Sequence, residues 1–253
     1  NTKVTVLASI YTLILPTIAS RLTNMAKKDR RAILARNTII GFIAVVTILI
    51  VGFGSYVSSP LAEQGDISDA DDLREVENPR ARRRSDPITV VEFFAYTCVH
   101  CKNFDPMIEE WAAEQGEDVA FSRQPAMWSP VQIMLGQTYL TLADQKTLPQ
   151  NHARIFRAIH DTRKQFQSAD MVGDYVDGRG LSKEEFLRAF NSPRVKAAVR
   201  GAETDLREFK ISATPSIVVA GRYIVGMKAG MGRALEVVDK LVAQIRTEDQ
   251  TRG

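Results

Sequence analysis

Residues 91–102 read Val91-Glu-Phe-Phe-Ala-Tyr-Thr-Cys-Val-His-Cys-Lys102, an apolar run followed by two cysteines with two residues between them. The dense β-branched and aromatic side chains of Ile88–Ala95 predict a buried strand. After Cys101, apolar residues recur at helical spacing and predict a helix that ends near Gly116. Cys98 and Cys101 are therefore expected between a strand and the first turn of a helix.

A CxxC pair has three interpretations: half of a zinc site, a structural disulfide or a redox-active dithiol. A zinc site needs two more Cys or His ligands. The chain has only 2 cysteines, and His152 and His160 lie in an ordinary helical pattern. A bridge that closes so short a loop removes little chain entropy and stabilises a fold weakly. The position favours redox chemistry, without a metal ion.

A helix N-terminus stabilises a thiolate, because its first N–H groups lack intrahelical partners and its dipole is positive there. We expect this environment to lower the pKa of Cys98 well below the free value of about 8.5. His100 is expected to add a donor or a positive charge beside the pair. Cys101, one turn further along, is expected to be less accessible and to resolve a mixed disulfide.

Beyond the CxxC helix, the pattern predicts one more strand, a long helical stretch, a hairpin and a closing helix. Ser182 followed by Glu185 predicts a capping box at the start of one of these helices. The predicted strands are 119–123, 216–220 and 223–225, and the predicted helices are 131–145, 151–163, 169–176, 183–190, 193–209 and 233–245.

The segment 91–102 resembles the active-site segment of thioredoxin-fold proteins, and most closely that of the DsbA-type periplasmic thiol:disulfide interchange proteins. Pro106 resembles the proline inside their active-site helix, and residues 213–217, Ala-Thr-Pro-Ser-Ile, resemble their cis-proline loop. The helical stretch at about 126–209 resembles their helical insertion. The resemblance covers about 88–245 and implies an α/β thioredoxin fold with a helical insertion.

The resemblance also implies roles for individual residues. Cys98 would be the nucleophile and Cys101 the resolving thiol, with Val99 and His100 as the dipeptide that tunes the potential. Glu92 matches the family's buried acid on the preceding strand, so the resemblance implies that it acts as a proton shuttle. Thr214 and a cis Pro215 would flank the disulfide and hold an extended substrate by backbone pairing. The Cys98–Cys101 disulfide would serve without a separate cofactor.

Three features depart from the family pattern. The dipeptide is Val-His, where the best-known oxidases have Pro-His, and Thr214 stands where they often carry Val. The strand that normally precedes the active-site strand is not obvious, and Leu73–Glu77 is the candidate. The first two departures leave the reduction potential open.

An uncharged stretch near the N-terminus predicts a transmembrane helix. No charged residue occurs from Asn37 to Ala62. Within it, Thr38–Val57 supplies about 20 mostly apolar residues, enough to cross a bilayer core. The uncharged stretch at 4–20 is a candidate for an additional span. A buried core helix is one alternative, although such helices are usually shorter. A cleaved signal peptide is the other, although its apolar region is normally about 7–15 residues long.

The flanking charges predict the orientation of this anchor. Basic residues precede the span and acidic residues follow it, so the positive-inside rule places everything after Val57 outside the cytoplasm. The predicted organisation is a cytoplasmic segment and anchor at 1–62, a polar tether at 63–87 and a thioredoxin-like domain at 88–253. The arginines at 80–84 are expected to be solvated, since no aromatic residues interleave them for nucleic-acid binding.

The leading hypothesis is a membrane-anchored disulfide oxidase that acts on cysteine-containing proteins and is regenerated by a redox partner. A reductase on the same fold, for example in cytochrome c assembly, is the runner-up, and a non-catalytic adaptor is the alternative from another class. An isomerase is less favoured, because no separate dimerisation domain is visible and a monomer is expected. The formal net charge of +3 argues against a nucleic-acid partner.

Overall fold

The computed structural model describes residues 72–251. The predicted membrane span at 38–57, the apolar stretch at 4–20 and the first part of the tether lie outside the described residues. No helix within 72–251 combines the length and the apolar composition that a bilayer crossing requires.

One mixed sheet forms the centre of the described chain. Its five strands are β1 (Leu73–Glu75), β2 (Ile88–Phe94), β3 (Val119–Pro125), β4 (Ser216–Val219) and β5 (Tyr223–Val225). They lie in the order β1-β5-β4-β2-β3. β2 and β3 are parallel, and the other neighbouring pairs are antiparallel. The active-site strand β2 is therefore an interior strand, with β3 on one side and β4 on the other.

Helices cover both faces of this sheet, and their bounds agree with the sequence predictions to within a few residues at most ends. The predicted capping box is present, with reciprocal hydrogen bonds between Ser182 and Glu185. The helices are α1 (Val99–Ala113), α2 (Pro130–Asp144), α3 (Leu148–His160), α4 (Ala169–Val176), α5 (Lys183–Phe190), α6 (Pro193–Glu208) and α7 (Met231–Thr251). The helical insertion thus comprises α2 to α6.

The alternation of side chains along β2 divides the core between the two faces of the sheet. Ile88 and Val90 pack with residues of α1 and α7, whereas Phe93 packs with residues of α6. Each large apolar side chain buried in this way stabilises the fold by about 1.5–3 kcal/mol. By the same alternation, Glu92 lies on the same side of β2 as the buried Val90 and Phe94, where burial disfavours an ionised carboxylate.

The helical insertion packs over the end of β2 and the turn that follows it. Phe94, Tyr96 and Cys101 belong to one buried cluster with side chains of α2 to α5. The insertion therefore encloses the inner side of the CxxC turn.

The predicted tether is wrong for its second half. Leu73–Glu75 forms β1, with Leu73 opposite Val225, so the candidate strand is confirmed and the folded domain begins at least as early as residue 72. Arg80 bonds to Asp205 at 2.5 Å and to Glu208 at 2.6 Å, so it is tied to the folded domain, although its side chain stays 46% exposed, as expected of a solvated arginine. The sequence concealed this packing because three residues carry little apolar signal and the ion pairs join residues more than 100 positions apart.

Candidate active site

Cys98 is the N-cap of α1, as the sequence predicts. Its sulfur accepts a hydrogen bond from the backbone N–H of Cys101, with Sγ and N 3.3 Å apart. On the other side, Sγ lies 3.4 Å from the carbonyl oxygen of Thr214. Cys98 is partly exposed, whereas Cys101 is fully buried, and both are free thiols in this structure. A thiol from outside can therefore reach Cys98 but not Cys101.

The pKa values of the two cysteines are shifted in opposite directions. A hydrogen bond with the Cys101 side chain is the main cause that lowers the pKa of Cys98 to about 5. The backbone N–H of Cys101, the Thr214 side chain and the backbone of His100 lower it further, and partial burial opposes them. Burial raises the pKa of Cys101 far above its ordinary value. Cys98 is thus a thiolate near neutral pH, and Cys101 is a thiol.

The peptide bond between Thr214 and Pro215 is cis, as predicted. It immediately precedes β4. A cavity of about 430 Å³ lies against this loop, lined by residues of the loop and by Arg74, Met227 and Lys228 among others. An open cavity beside the backbone of Thr214 leaves room for a bound peptide.

The dipeptide between the cysteines faces solvent. Val99 is 47% exposed, and His100 is also exposed. The described residues provide no hydrogen bond or ion pair to the His100 imidazole, so the charge effect expected of that ring remains a prediction. The contribution of His100 comes instead from its backbone N–H, one of the N–H groups without an intrahelical partner at the start of α1, which lowers the pKa of Cys98 in addition to the larger effect of Cys101.

Glu92 is buried beside one arginine. Arg123 Nε donates to Glu92 Oε2 at 2.8 Å, and the two residues are register partners across β2 and β3. Burial is the main cause that raises the pKa of Glu92 to about 7; Arg123 opposes it, and the nearby carboxylates of Asp105 and Glu109 add to it. Glu92 can therefore both hold and release a proton near neutral pH.

Arg123 holds three carboxylates at once, which we call the Arg123 cluster: Arg123, Glu92, Asp105 and Glu109. Its Nη2 lies 2.9 Å from Asp105, and its Nη1 bonds to Glu109. Sequence analysis missed Arg123 and Asp105. The available signal for Arg123 was a charged residue in one predicted strand, with Glu92 in another. The sequence does not show that the two residues pair, because pairing depends on the register of the strands.

Two histidines of the insertion contact Tyr96, the residue two positions before Cys98. His152 Nδ1 lies 2.8 Å from the Tyr96 hydroxyl, and His160 Nε2 lies 2.9 Å from the Tyr96 carbonyl oxygen. Both histidines looked like ordinary helical residues in the sequence. No local pattern could have identified these contacts, because they join residues 56 and 64 positions apart.

These features define a class of protein. A CxxC at the N-terminus of a helix that follows an interior strand, faced by a cis-proline loop, is the dithiol site of a thioredoxin-fold thiol:disulfide oxidoreductase. The large helical insertion narrows the class further.

Comparison with known proteins agrees with that assignment. The model of the "DSBA-like thioredoxin domain" family matches residues 107–234, and the thioredoxin model matches 76–126. The thiol:disulfide interchange protein DsbA of Azotobacter vinelandii is 36% identical over 162 residues, which cover 63% of this chain and 76% of that protein. The DsbA of Bordetella pertussis is 35% identical over 162 residues, covering 63% and 77%.

Solved structures are similar over the same region. The crystal structure of Pseudomonas aeruginosa DsbA matches with a TM-score of 0.68 and 29% identity, covering 71% of this chain and 94% of that one. The oxidoreductase DsbA from Xylella fastidiosa matches with a TM-score of 0.66 and 30% identity, covering 70% and 96%. The chain belongs to the DsbA-like thioredoxin family and is a thiol:disulfide oxidoreductase of the DsbA type.

Proposed function

We propose that this protein oxidises cysteine pairs of other proteins outside the cytoplasm, through a Cys98–Cys101 disulfide. The observation that carries the proposal is the lowered pKa of Cys98, about 5. A stabilised Cys98 thiolate favours the reduced protein, and a disulfide whose reduced form is stabilised is a strong oxidant.

The reaction begins on the accessible sulfur. A substrate thiolate attacks Cys98 Sγ, the Cys98–Cys101 bond breaks, and Cys101 leaves with the electron pair as a thiolate. Because burial raises the pKa of Cys101, this thiolate takes up a proton. Glu92, with a pKa of about 7, supports the role of proton donor in this direction and acceptor in reverse.

The second substrate thiolate then attacks the substrate sulfur of the mixed disulfide. Cys98 leaves as a stable thiolate, and the substrate departs with a new disulfide. Two electrons have moved from the substrate to the protein. An oxidising redox partner must remove them to restore the Cys98–Cys101 bond, and the dithiol serves without a separate cofactor.

Substrate binding is proposed at the cis-proline loop. The backbone of Thr214, which lies just before β4, is the proposed pairing partner for an extended substrate segment, beside the cavity of about 430 Å³. Val99 is exposed on the other side of Cys98 and offers an apolar contact. Backbone pairing tolerates many sequences, as an oxidase with many substrates requires.

We further propose that the span at 38–57 anchors the protein in the cytoplasmic membrane with the catalytic domain outside. The support is the length of the uncharged stretch and its basic flank. A reporter fused after Gly253 should be active only outside the cytoplasm. Activity of a cytoplasmic reporter at that position would refute the orientation.

The direction of electron transfer is tested by measuring protein oxidation and protein reduction with the same preparation. The oxidised protein should restore activity to reduced, unfolded ribonuclease, while the reduced protein should reduce insulin poorly. A Cys98→Ser variant serves as the control and should do neither. Rapid insulin reduction with no ribonuclease oxidation would establish a reductase, and failure of both reactions would favour an adaptor.

A further inference from the structure

A chain of buried polar side chains links the helical insertion to Glu92. Asp105 Oδ1 lies 2.9 Å from Arg123 Nη2 and 3.1 Å from His152 Nε2, so one carboxylate oxygen serves both groups. The other ring nitrogen of His152 lies 2.8 Å from the Tyr96 hydroxyl. His152 is therefore held at both nitrogens, between the CxxC turn and the Arg123 cluster.

The partners of His152 assign its protons. An ionised carboxylate only accepts hydrogen bonds, so Nε2 must donate to Asp105. Burial raises the pKa of Tyr96 well above its ordinary value, so the phenol keeps its proton. Within residues 72–251, the hydrogen-bond partner of this hydroxyl is His152 Nδ1. The hydroxyl therefore donates to Nδ1, and the ring is the neutral tautomer protonated at Nε2.

This arrangement affects how Arg123 is shared. If His152 did not donate to Oδ1, that oxygen would depend on Arg123 alone. Asp105 would then draw the guanidinium away from Glu92, and its own negative charge would be less dispersed. Both changes disfavour a carboxylate at Glu92.

We propose that His152 is a positioning residue of the thiol–disulfide reaction, which keeps Arg123 shared between Asp105 and Glu92 by donating its Nε2 proton to Asp105. The inference rests on the proposed proton transfer at Glu92. It also assigns a role to part of the insertion, because His152 links α3 to Glu92 through Asp105 and Arg123.

The surroundings of Glu92 contain several other groups that could influence its titration. The neighbour on β4, Ile217, is apolar. The titratable groups that face this region are Arg123 from β3, Asp105 and Glu109 from α1, Tyr139 from α2, Tyr96 from the turn before α1, and His152 from α3.

The test follows the Glu92 carboxyl carbon by ¹³C NMR against pH in the full chain, reduced, with Glu92→Gln to assign the signal. His152→Phe keeps a ring among the surrounding aromatic side chains but removes both hydrogen bonds. It should raise the Glu92 midpoint by about half a pH unit or more. His152→Gln supplies an amide donor and a carbonyl acceptor, and it should restore the wild-type midpoint.

Phe186→Leu is the matched control, because Phe186 is fully buried in α5 and, within residues 72–251, its ring contact is with Phe190 and not with a member of the Arg123 cluster. It should lower stability without moving the Glu92 midpoint. An unchanged midpoint in folded His152→Phe, or an equal shift in Phe186→Leu, would overturn the proposal. Failure of His152→Gln to restore the midpoint would overturn it as well.

If His152→Phe does not fold, the ¹⁵N shifts of the wild-type ring decide the matter. A protonated Nε2 with a bare Nδ1 at pH 7.5 supports the proposal, and the opposite tautomer refutes it. These measurements do not depend on the direction of catalysis. A wild-type protein that oxidises no ribonuclease yet shows the expected Glu92 shifts would therefore defeat the proposed function and leave the His152 contact intact.

Discussion

Arg123 and Glu92 face each other across the parallel pair of β2 and β3, with Nε and Oε2 2.8 Å apart. Even with this partner, burial keeps the pKa of Glu92 near 7. Arg123 offsets the effect of burial only in part, because the same guanidinium also serves Asp105 and Glu109, whose carboxylates raise the pKa of Glu92 further. A fully shared cation cannot offset the cost of burying one more carboxylate.

Glu92→Gln should remove a pH-dependent penalty on stability. The pKa of Glu92 rises from its ordinary 4.5 to about 7 in the folded protein. The folded wild type therefore binds the Glu92 proton more tightly than the unfolded chain does, and it loses this stabilisation as the pH rises through that interval. Relative to the wild type, the variant should gain up to about 3 kcal/mol between pH 5 and pH 8. Urea denaturation at both pH values measures it; a constant difference would contradict the raised pKa.

Arg123→Met should destabilise the fold strongly. It leaves the carboxylates of Glu92 and Asp105 buried without their cation, which costs about 3–5 kcal/mol at pH 8. The loss should be smaller at pH 5, where Glu92 binds a proton. Arg246→Met is the matched control, since its ion pair with Asp118 is exposed. Equal losses in the two variants would show that the Arg123 cluster is an ordinary surface network.

The acidity of Cys98 should depend on the hydroxyl or thiol at position 101. A hydrogen bond from the Cys101 side chain is the largest cause that lowers the pKa of Cys98. Cys101→Ser keeps a donor, and Cys101→Ala does not. Thiolate absorbance against pH should therefore give a higher Cys98 pKa in the Ala variant than in the Ser variant. Identical titrations would assign the acidity to the helix N-terminus alone.

The same pair of cysteines should trap substrates asymmetrically. Cys101→Ser should accumulate mixed disulfides, because Cys98 can still be joined to a substrate while the resolving thiol is missing. Cys98→Ser should accumulate none, since Cys101 is fully buried. Gel electrophoresis without reductant, after incubation with oxidised substrate protein, distinguishes the two variants. Trapping by Cys98→Ser would reverse the assigned roles.

The reduced protein should lose stability relative to the oxidised protein on acidification. The pKa of Cys98 is lowered in the folded state, so its contribution is complete above the unfolded value of about 8.5 and is lost as the pH falls through about 5. Denaturation of both redox forms at pH 8.5 and pH 4.5 tests this. The quantity to follow is the free energy of unfolding of the reduced protein minus that of the oxidised protein. If this difference does not fall between pH 8.5 and pH 4.5, the Cys98 thiolate is excluded as its source.

Local chemistry made much of the site predictable. The strand, the CxxC and the helix that Cys98 caps follow from side-chain periodicity and from the unpaired N–H groups of a helix terminus, which depend on near neighbours in the chain. The role of Pro215 rested instead on the resemblance of a short motif, and the cis bond is confirmed.

Contacts between distant segments could not be predicted in this way. Leu73–Glu75 becomes a strand through the open edge of β5, and Arg123 meets Glu92 through the register of two strands. His152 reaches Asp105 because α3 packs against the CxxC turn. Whether Glu92 is a surface carboxylate or a buried acid with a pKa near 7 depends on how much water and how many charges the packed elements leave around it, and that environment exists only in the folded chain.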